Sequence, residues 1–245
     1  MIAVNGKGGT GKTTVAALIT AALIDKVSGS VLAIDADPNS CLADALGISS
    51  VQTIVGISEE VAKNIDNIPA GMTKDRYIEM RVQEAVAEEN GFDLLVMGRP
   101  EGPGCYCYIN NLLRSVIEKV TGNYDFVVID NAAGMEHISR RTEGGVGKLV
   151  LVSDYSISGV RSAKKIYELA KSLKIKIGSA GLIVNKVSGP MSAIDKEVEN
   201  TGLDLLGTVP YDDAVADWSI SGKSVFELKD KTLSDTINNI LSKLI

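Results

Sequence analysis

The sequence predicts a doubly wound α/β fold, a mostly parallel sheet with helices on both faces. Seven short apolar runs are unbroken rather than alternating, as strands buried on both faces of a parallel sheet require. Amphipathic stretches of helical length lie between them, and strand–helix repetition of this kind closes through right-handed crossovers. A glycine-rich turn joins the first run to the first amphipathic stretch, where such a fold places its ligand crevice.

Taken in order, the strands are expected at Met1–Val4, Val31–Ile34, Leu94–Met97, Phe126–Ile129, Leu149–Val152, Ala180–Val184 and Leu205–Val209. Thr14–Asp25, Asn110–Val120 and Gly159–Leu173 carry helical patterns between them. Residues 49–90 break the rhythm with no strand signal. Ser58–Ile65 and Thr73–Asn90 read there as charged helices, a helical insertion on one side of the sheet. The tail repeats apolar residues at Leu233, Ile237, Leu241 and Leu244, the spacing of a helix docked on the core. No repeat, low-complexity tract or linker interrupts residues 1–245, so a single domain is expected.

Composition narrows the function classes. The 245 residues are 45% apolar and 23% charged, with a net charge of −6 and no block of lysines and arginines. Nucleic-acid binding, which depends on clustered positive charge, is not expected. No apolar run approaches the ~20 residues of a membrane span, and no signal-peptide pattern opens the chain. Three cysteines in that setting predict a reducing, cytoplasmic compartment and no structural disulfide.

The glycine-rich turn, NGKGGTGKTT, fits G-x-x-x-x-G-K-[ST] from Gly6 through Gly11, Lys12 and Thr13. Each part has a task. Backbone N–H groups of Gly8, Gly9, Thr10, Gly11 and the residues up to Thr14 turn inward around phosphate oxygens. The helix N-terminus adds partial positive charge, Lys12 reaches the β- and γ-phosphates, and the Thr13 hydroxyl serves Mg²⁺. Asp35 and Asp37 end the second strand and Asp130 ends the fourth, with Gly134 four residues on. Carboxylates at the C-terminal edge of a parallel sheet face the crevice.

Lys7 makes the turn K-G-G-T-G-K-T, the deviant Walker A signature, and here the chain resembles the nitrogenase iron protein, MinD and ParA ATPases. The resemblance implies a homodimer enclosing two ATP molecules, with Lys7 acting across the interface as an arginine finger does elsewhere. It also implies that Asp35 supports the Mg²⁺ shell, that Asp37 orients the attacking water, and that Asp130 sits near Mg²⁺ through water. The guanine-reading N-K-x-D pattern lacks its carboxylate, since the sequence runs Asn185-Lys186-Val187-Ser188. Asn185 can still bond a purine. Pro210, Tyr211 and Asp212 are similar to the family's second adenine-contacting loop, so ATP is the expected nucleotide.

Cys105 and Cys107 lie in the loop Gly102-Pro-Gly-Cys-Tyr-Cys. They could be buried small residues, a redox pair or a metal site. Glycines and prolines argue against a core position, and redox pairs favour C-x-x-C. Two thiolates are half of a closed Zn²⁺ site, and a two-fold dimer would supply the other half. Tetrahedral Zn²⁺ and square-planar Ni²⁺ both remain open. With K-G-G-T-G-K-T-T, D-A-D-P-N-S-C-L, G-C-Y-C and D-N-A-A-G-M-E-H, the chain closely resembles CooC-type ATPases. That resemblance implies a nickel-insertion factor serving carbon monoxide dehydrogenase or acetyl-CoA synthase. A MinD/ParA-type positioning switch and an iron–sulfur electron-transfer ATPase are the alternatives. Cys41 is expected to be a small buried residue, and Trp218 to pack. His137 is assigned a structural polar role and Glu136 a contact with the partner chain. Tyr106 and Tyr108 are taken to shape the thiol loop.

Overall fold

The computed structural model describes residues 1–99, 119–132 and 145–245. Strands β1 (Ile2–Gly6), β2 (Val31–Ala36), β3 (Ala87–Glu89), β4 (Phe92–Val96), β5 (Phe126–Asn131), β6 (Val146–Asp154), β7 (Ile177–Val187) and β8 (Asp204–Pro210) form one sheet among the described residues. Its order is β3-β4-β2-β5-β1-β6-β7-β8, and every pairing is parallel except β3 with β4. The first strand thus lies inside the sheet, flanked by β5 and β6. The unbroken apolar runs are explained by that position: every residue of β1 and β2 is buried.

Among the described residues the helices include α1 (Lys12–Lys26), α2 (Cys41–Leu46), α3 (Ile54–Lys63), α4 (Lys74–Glu84), α5 (Ile157–Ser172), α6 (Asp195–Glu199), α7 (Asp213–Ser221) and α8 (Lys231–Leu241). Helix α1 contacts strands β1, β2 and β5 and is covered by α8. It is therefore apolar nearly all round, and Val15, Ala16, Ile19 and Leu23 are buried. Helix α8 is one-sided, burying Leu233, Ile237, Ile240 and Leu241, and Asp230 caps it by accepting from Leu233 N at 2.6 Å. On another part of the sheet, α3 and α4 bury Ile54, Ile57, Val61, Ile78 and Val82 against Leu32, Ile34, Leu95 and Val127. Thr53 and Thr73 cap these two helices through their hydroxyls.

Two expectations are corrected. Residues 73–90 are not helical throughout: α4 stops at Glu84, and Ala87–Glu89 is a strand. Asn90-Gly91 makes a two-residue turn, Gly91 taking φ 92°, and returns the chain antiparallel into β4. The strands also extend past their last apolar residue. Asp35, Asp130 and Asn185 lie within strands, because ladder hydrogen bonding continues where hydrophobicity has ended.

Candidate functional site: a phosphate loop beside two buried carboxylates

The loop between β1 and α1 sits at the C-terminal edge of the sheet. Gly11 begins α1 with φ 87°, and a Cβ there would collide with the Asn185 side-chain amide nitrogen. Both demands select glycine. The loop is internally tied, Thr10 Oγ1 donating to the Lys7 carbonyl at 2.8 Å. Lys7 and Gly8 are exposed at its crest, whereas Lys12 is buried at 8% exposure.

Beside the loop, Asp35 and Asp130 are fully buried and face each other in the β2–β5 register. Thr13 Oγ1 donates to Asp130 Oδ2 at 2.6 Å. The other oxygen, Oδ1, has no hydrogen-bond partner among the described residues. Burial, countered in part by Thr13 and Lys12 and reinforced by Asp35, pushes the Asp130 carboxyl up to about 7. Burial likewise raises Asp35 to about 6, although backbone N–H groups of Leu42 and Asp37 hold its oxygens at 2.8 and 3.2 Å. Two buried carboxyl groups and an unpartnered carboxylate oxygen beside a hydroxyl fit a divalent cation. Thr13, Asp35 and Asp130 would hold Mg²⁺ or its water shell, and the ion would neutralise phosphate charge. Asp37 lies at the rim, where its Oδ1 accepts from Asn39 N and Nδ2, both at 3.0 Å.

On the far side of the loop a cavity of about 460 Å³ runs from Lys12 and Thr13 to an apolar end walled by Leu18, Val209, Val215 and Ile220. Pro210, Tyr211 and Asp212 line it, as does Asn185. Its size suits a nucleotide. Asn185 is turned onto the phosphate loop: Nδ2 donates to the Thr10 carbonyl at 2.9 Å, and Oδ1 accepts from Lys186 N at 2.9 Å. Asp212 is committed to capping α7, its Oδ1 accepting from Ala214 N at 2.7 Å.

The profile of the CobQ/CobB/MinD/ParA nucleotide binding domain matches residues 1–225. The chain belongs to this CobQ/CobB/MinD/ParA family. This family member is similar to an uncharacterized ATP-binding protein of Methanocaldococcus jannaschii, at 41% identity over 100% of this chain and 98% of that protein. It is also similar to the carbon monoxide dehydrogenase accessory protein CooC of Rhodospirillum rubrum, at 30% identity over 93% of this chain and 89% of that one. Among solved structures, a ParA family ATPase from Chlorobium tepidum superposes with a TM-score of 0.74 at 24% identity, covering 99% of this chain and 98% of its own. The MinC:MinD complex of Aquifex aeolicus gives 0.72 at 22% identity, with 99% and 93% covered. Those two likenesses show the doubly wound P-loop fold. Membership of the CobQ/CobB/MinD/ParA family supports ATP binding and hydrolysis.

Several expected residues fall outside the described residues: Cys105, Cys107, Tyr106, Tyr108, Gly134, Glu136 and His137. Among the described residues no group of three or more His, Cys, Asp or Glu could hold a metal ion, and no helix is long and apolar enough to cross a membrane. Cys41, expected to be buried, is exposed. It opens α2, with its Sγ 3.7 Å from the Asn39 carbonyl, while Leu42 takes the inward position. Trp218 is buried in the core as expected. Sequence reasoning missed Lys186, which follows Asn185 into the cavity wall. The N-K-x-D remnant was its only signal.

Proposed function

We propose that this protein is an ATP-hydrolysing metallochaperone. It pairs into a homodimer on ATP or metal, binds nickel or zinc as cargo through Cys105 and Cys107 of each subunit, and helps load carbon monoxide dehydrogenase or acetyl-CoA synthase. The observation that carries this reading is the Cys-x-Cys pair in a chain 30% identical, over 93% of its length, to an accessory protein of carbon monoxide dehydrogenase.

In this reading the phosphate-loop amides and Lys12 hold the triphosphate, and Asp37 orients a water against the γ-phosphorus. As its oxygen bonds to phosphorus, the bond to the β–γ bridging oxygen breaks, and ADP carries the electron pair away. Lys7 of the second subunit would meet the charge that builds there. ATP changes metal affinity only if the open and closed dimers bind the cargo differently, so the thiol pairs must be rearranged between the two states.

The test is metal content of anaerobically prepared protein, resolved by oligomeric state with and without ATP. About one nickel or zinc per dimer is expected, lost in Cys105→Ala or Cys107→Ala. Stoichiometric metal retained by the double variant overturns the proposal. A brown protein with iron and sulfide would favour the electron-transfer alternative, and ATP-dependent sedimentation with liposomes or DNA the positioning switch.

A further inference from the structure

Asn-Gly occurs twice in the chain, at Asn5-Gly6 and at Asn90-Gly91, and the two pairs have opposite surroundings. Asn5 is fully buried in β1, which pairs with β5 on one side and β6 on the other, and Gly6 is in register with Val152. Asn90 and Gly91 are exposed at the tip of the β3–β4 hairpin. Among the described residues, neither the Asn90 side chain nor the Gly91 N–H takes part in a hydrogen bond. Gly91 has no side chain to shield its amide nitrogen, and none would fit: a Cβ there would come within 2.7 Å of Ile24 Cγ2. The hairpin also opens readily. β3 has three residues, pairs with β4 alone and exposes Glu88 and Glu89. An edge of this kind unpairs at far lower free energy than a central strand such as β1.

We propose that Asn90 is a site of spontaneous deamidation, through which the hairpin acquires a carboxylate as the protein ages. The Gly91 amide nitrogen, its proton taken by hydroxide, bonds to Asn90 Cγ. The Cγ–Nδ2 bond breaks, the side-chain nitrogen leaves as ammonia, and a five-membered succinimide closes. Water then opens the ring at one of its two carbonyls. Attack at Cγ restores the ordinary backbone link and leaves aspartate. Attack at the backbone carbonyl breaks its bond to Gly91 N and leaves isoaspartate, with the chain running through Cβ and Cγ. Ammonia is released, one water is consumed, and no oxidant takes part.

Both products place a new negative charge next to Glu88 and Glu89. Isoaspartate also puts an extra backbone atom into a two-residue turn, which the pairings Glu89↔Phe92 and Glu88↔Asp93 cannot absorb. β3 then unpairs, while β4 keeps its parallel partner β2. This assignment depends on neither the nucleotide nor the metal cargo.

Peptide mapping by mass spectrometry tests it, on the full chain aged in mildly alkaline buffer under conditions that convert both Asn-Gly pairs when the chain is unfolded in urea. In the folded chain the Asn90 peptide is expected to gain the mass difference between an amide and an acid. It should also become a methyl acceptor for purified isoaspartyl methyltransferase and S-adenosylmethionine. Conversion at Asn90 should exceed that at Asn5 at least about a hundredfold, since Asn5 reacts only when the central sheet opens. Asn90→Asp carries the charge without the extra backbone atom, so it should keep the hydrogen-exchange protection of Ala87–Glu89 that the isoaspartate form loses. An Asn90 that stays an amide in the folded chain overturns the proposal, as does conversion of Asn5 and Asn90 at equal rates. Protection retained in the isoaspartate form overturns the unpairing of β3.

Discussion

The Thr13 hydroxyl lies 2.6 Å from Asp130 Oδ2, joining the second residue of α1 to the end of β5 across the floor of the nucleotide site. The carboxylate that receives it is fully buried, and its second oxygen has no described partner. Burial disfavours the charged form of that carboxyl and so raises its affinity for a proton.

Replacing that charge should separate stability from function. Asp130→Asn is expected to raise the melting temperature of the nucleotide-free protein and to abolish Mg²⁺-dependent ATP hydrolysis. Asp35→Asn should lower it, because both Asp35 oxygens accept backbone N–H bonds that an amide nitrogen cannot. The sign with pH follows. Both folded carboxyls titrate above their ordinary value of 3.8, Asp35 at about 6 and Asp130 at about 7. The destabilisation is absent below the unfolded value and complete above the folded ones. Without nucleotide or Mg²⁺, stability should therefore fall between about pH 4 and 7, by roughly 1–3 kcal/mol, and Asp130→Asn should flatten the fall. Urea titrations across that range check both statements.

Gly11→Ala should eliminate nucleotide binding. The φ of 87° strains any side chain by about 1–2 kcal/mol, and the new methyl group would drive Asn185 off the Thr10 carbonyl. Adding Asn185→Ala removes the collision but not the strain, so stability should recover only in part. Calorimetric ATP binding and thermal melting report the two effects separately.

Lys7→Ala should leave ATP affinity within a few-fold of wild type, since the residue is exposed at the loop crest. If Lys7 serves the partner's nucleotide, turnover should drop about 10³-fold or more, the scale of a lost transition-state cation. Mixing this variant with a hydrolysis-dead but Lys7-intact subunit should restore part of the rate. No restoration in mixed dimers would place Lys7 in its own subunit's site.

Ile237→Ala should destabilise the whole domain by about 2–5 kcal/mol, because Ile237 is 2% exposed within the core cluster that α8 and α1 share. The loss should appear as a lower urea midpoint with an unchanged slope. ATP should recover part of it by mass action if the folded site stays intact.

The sheet was legible because β1, β2, β5 and β6 are buried on both faces and so write their apolar runs without alternation. The phosphate loop was legible because its chemistry is local: consecutive residues make the whole cradle. β3 was not, since an edge strand with two exposed glutamates has no hydrophobic period to read; only Asn90-Gly91 marked the turn. Cys41 was misplaced because an isolated cysteine beside leucine and alanine reads as core, whereas the helix phase set by Leu42 turns it outward. The Lys186 contact with the phosphate loop was signalled only by its place in the N-K-x-D remnant, because it comes from a left-handed backbone at a ladder slip and a partner 177 positions away, neither of which composition or spacing records.

The short strand Ala87–Glu89 has a consequence for self-association. It forms one border of the sheet, and its Glu88 and Glu89 are exposed. Two copies meeting border to border there would set carboxylates against carboxylates while trying to continue a ladder only three residues long. Like charge and brevity together discourage a continuous sheet through this side, so subunits that join must find another surface on which to meet.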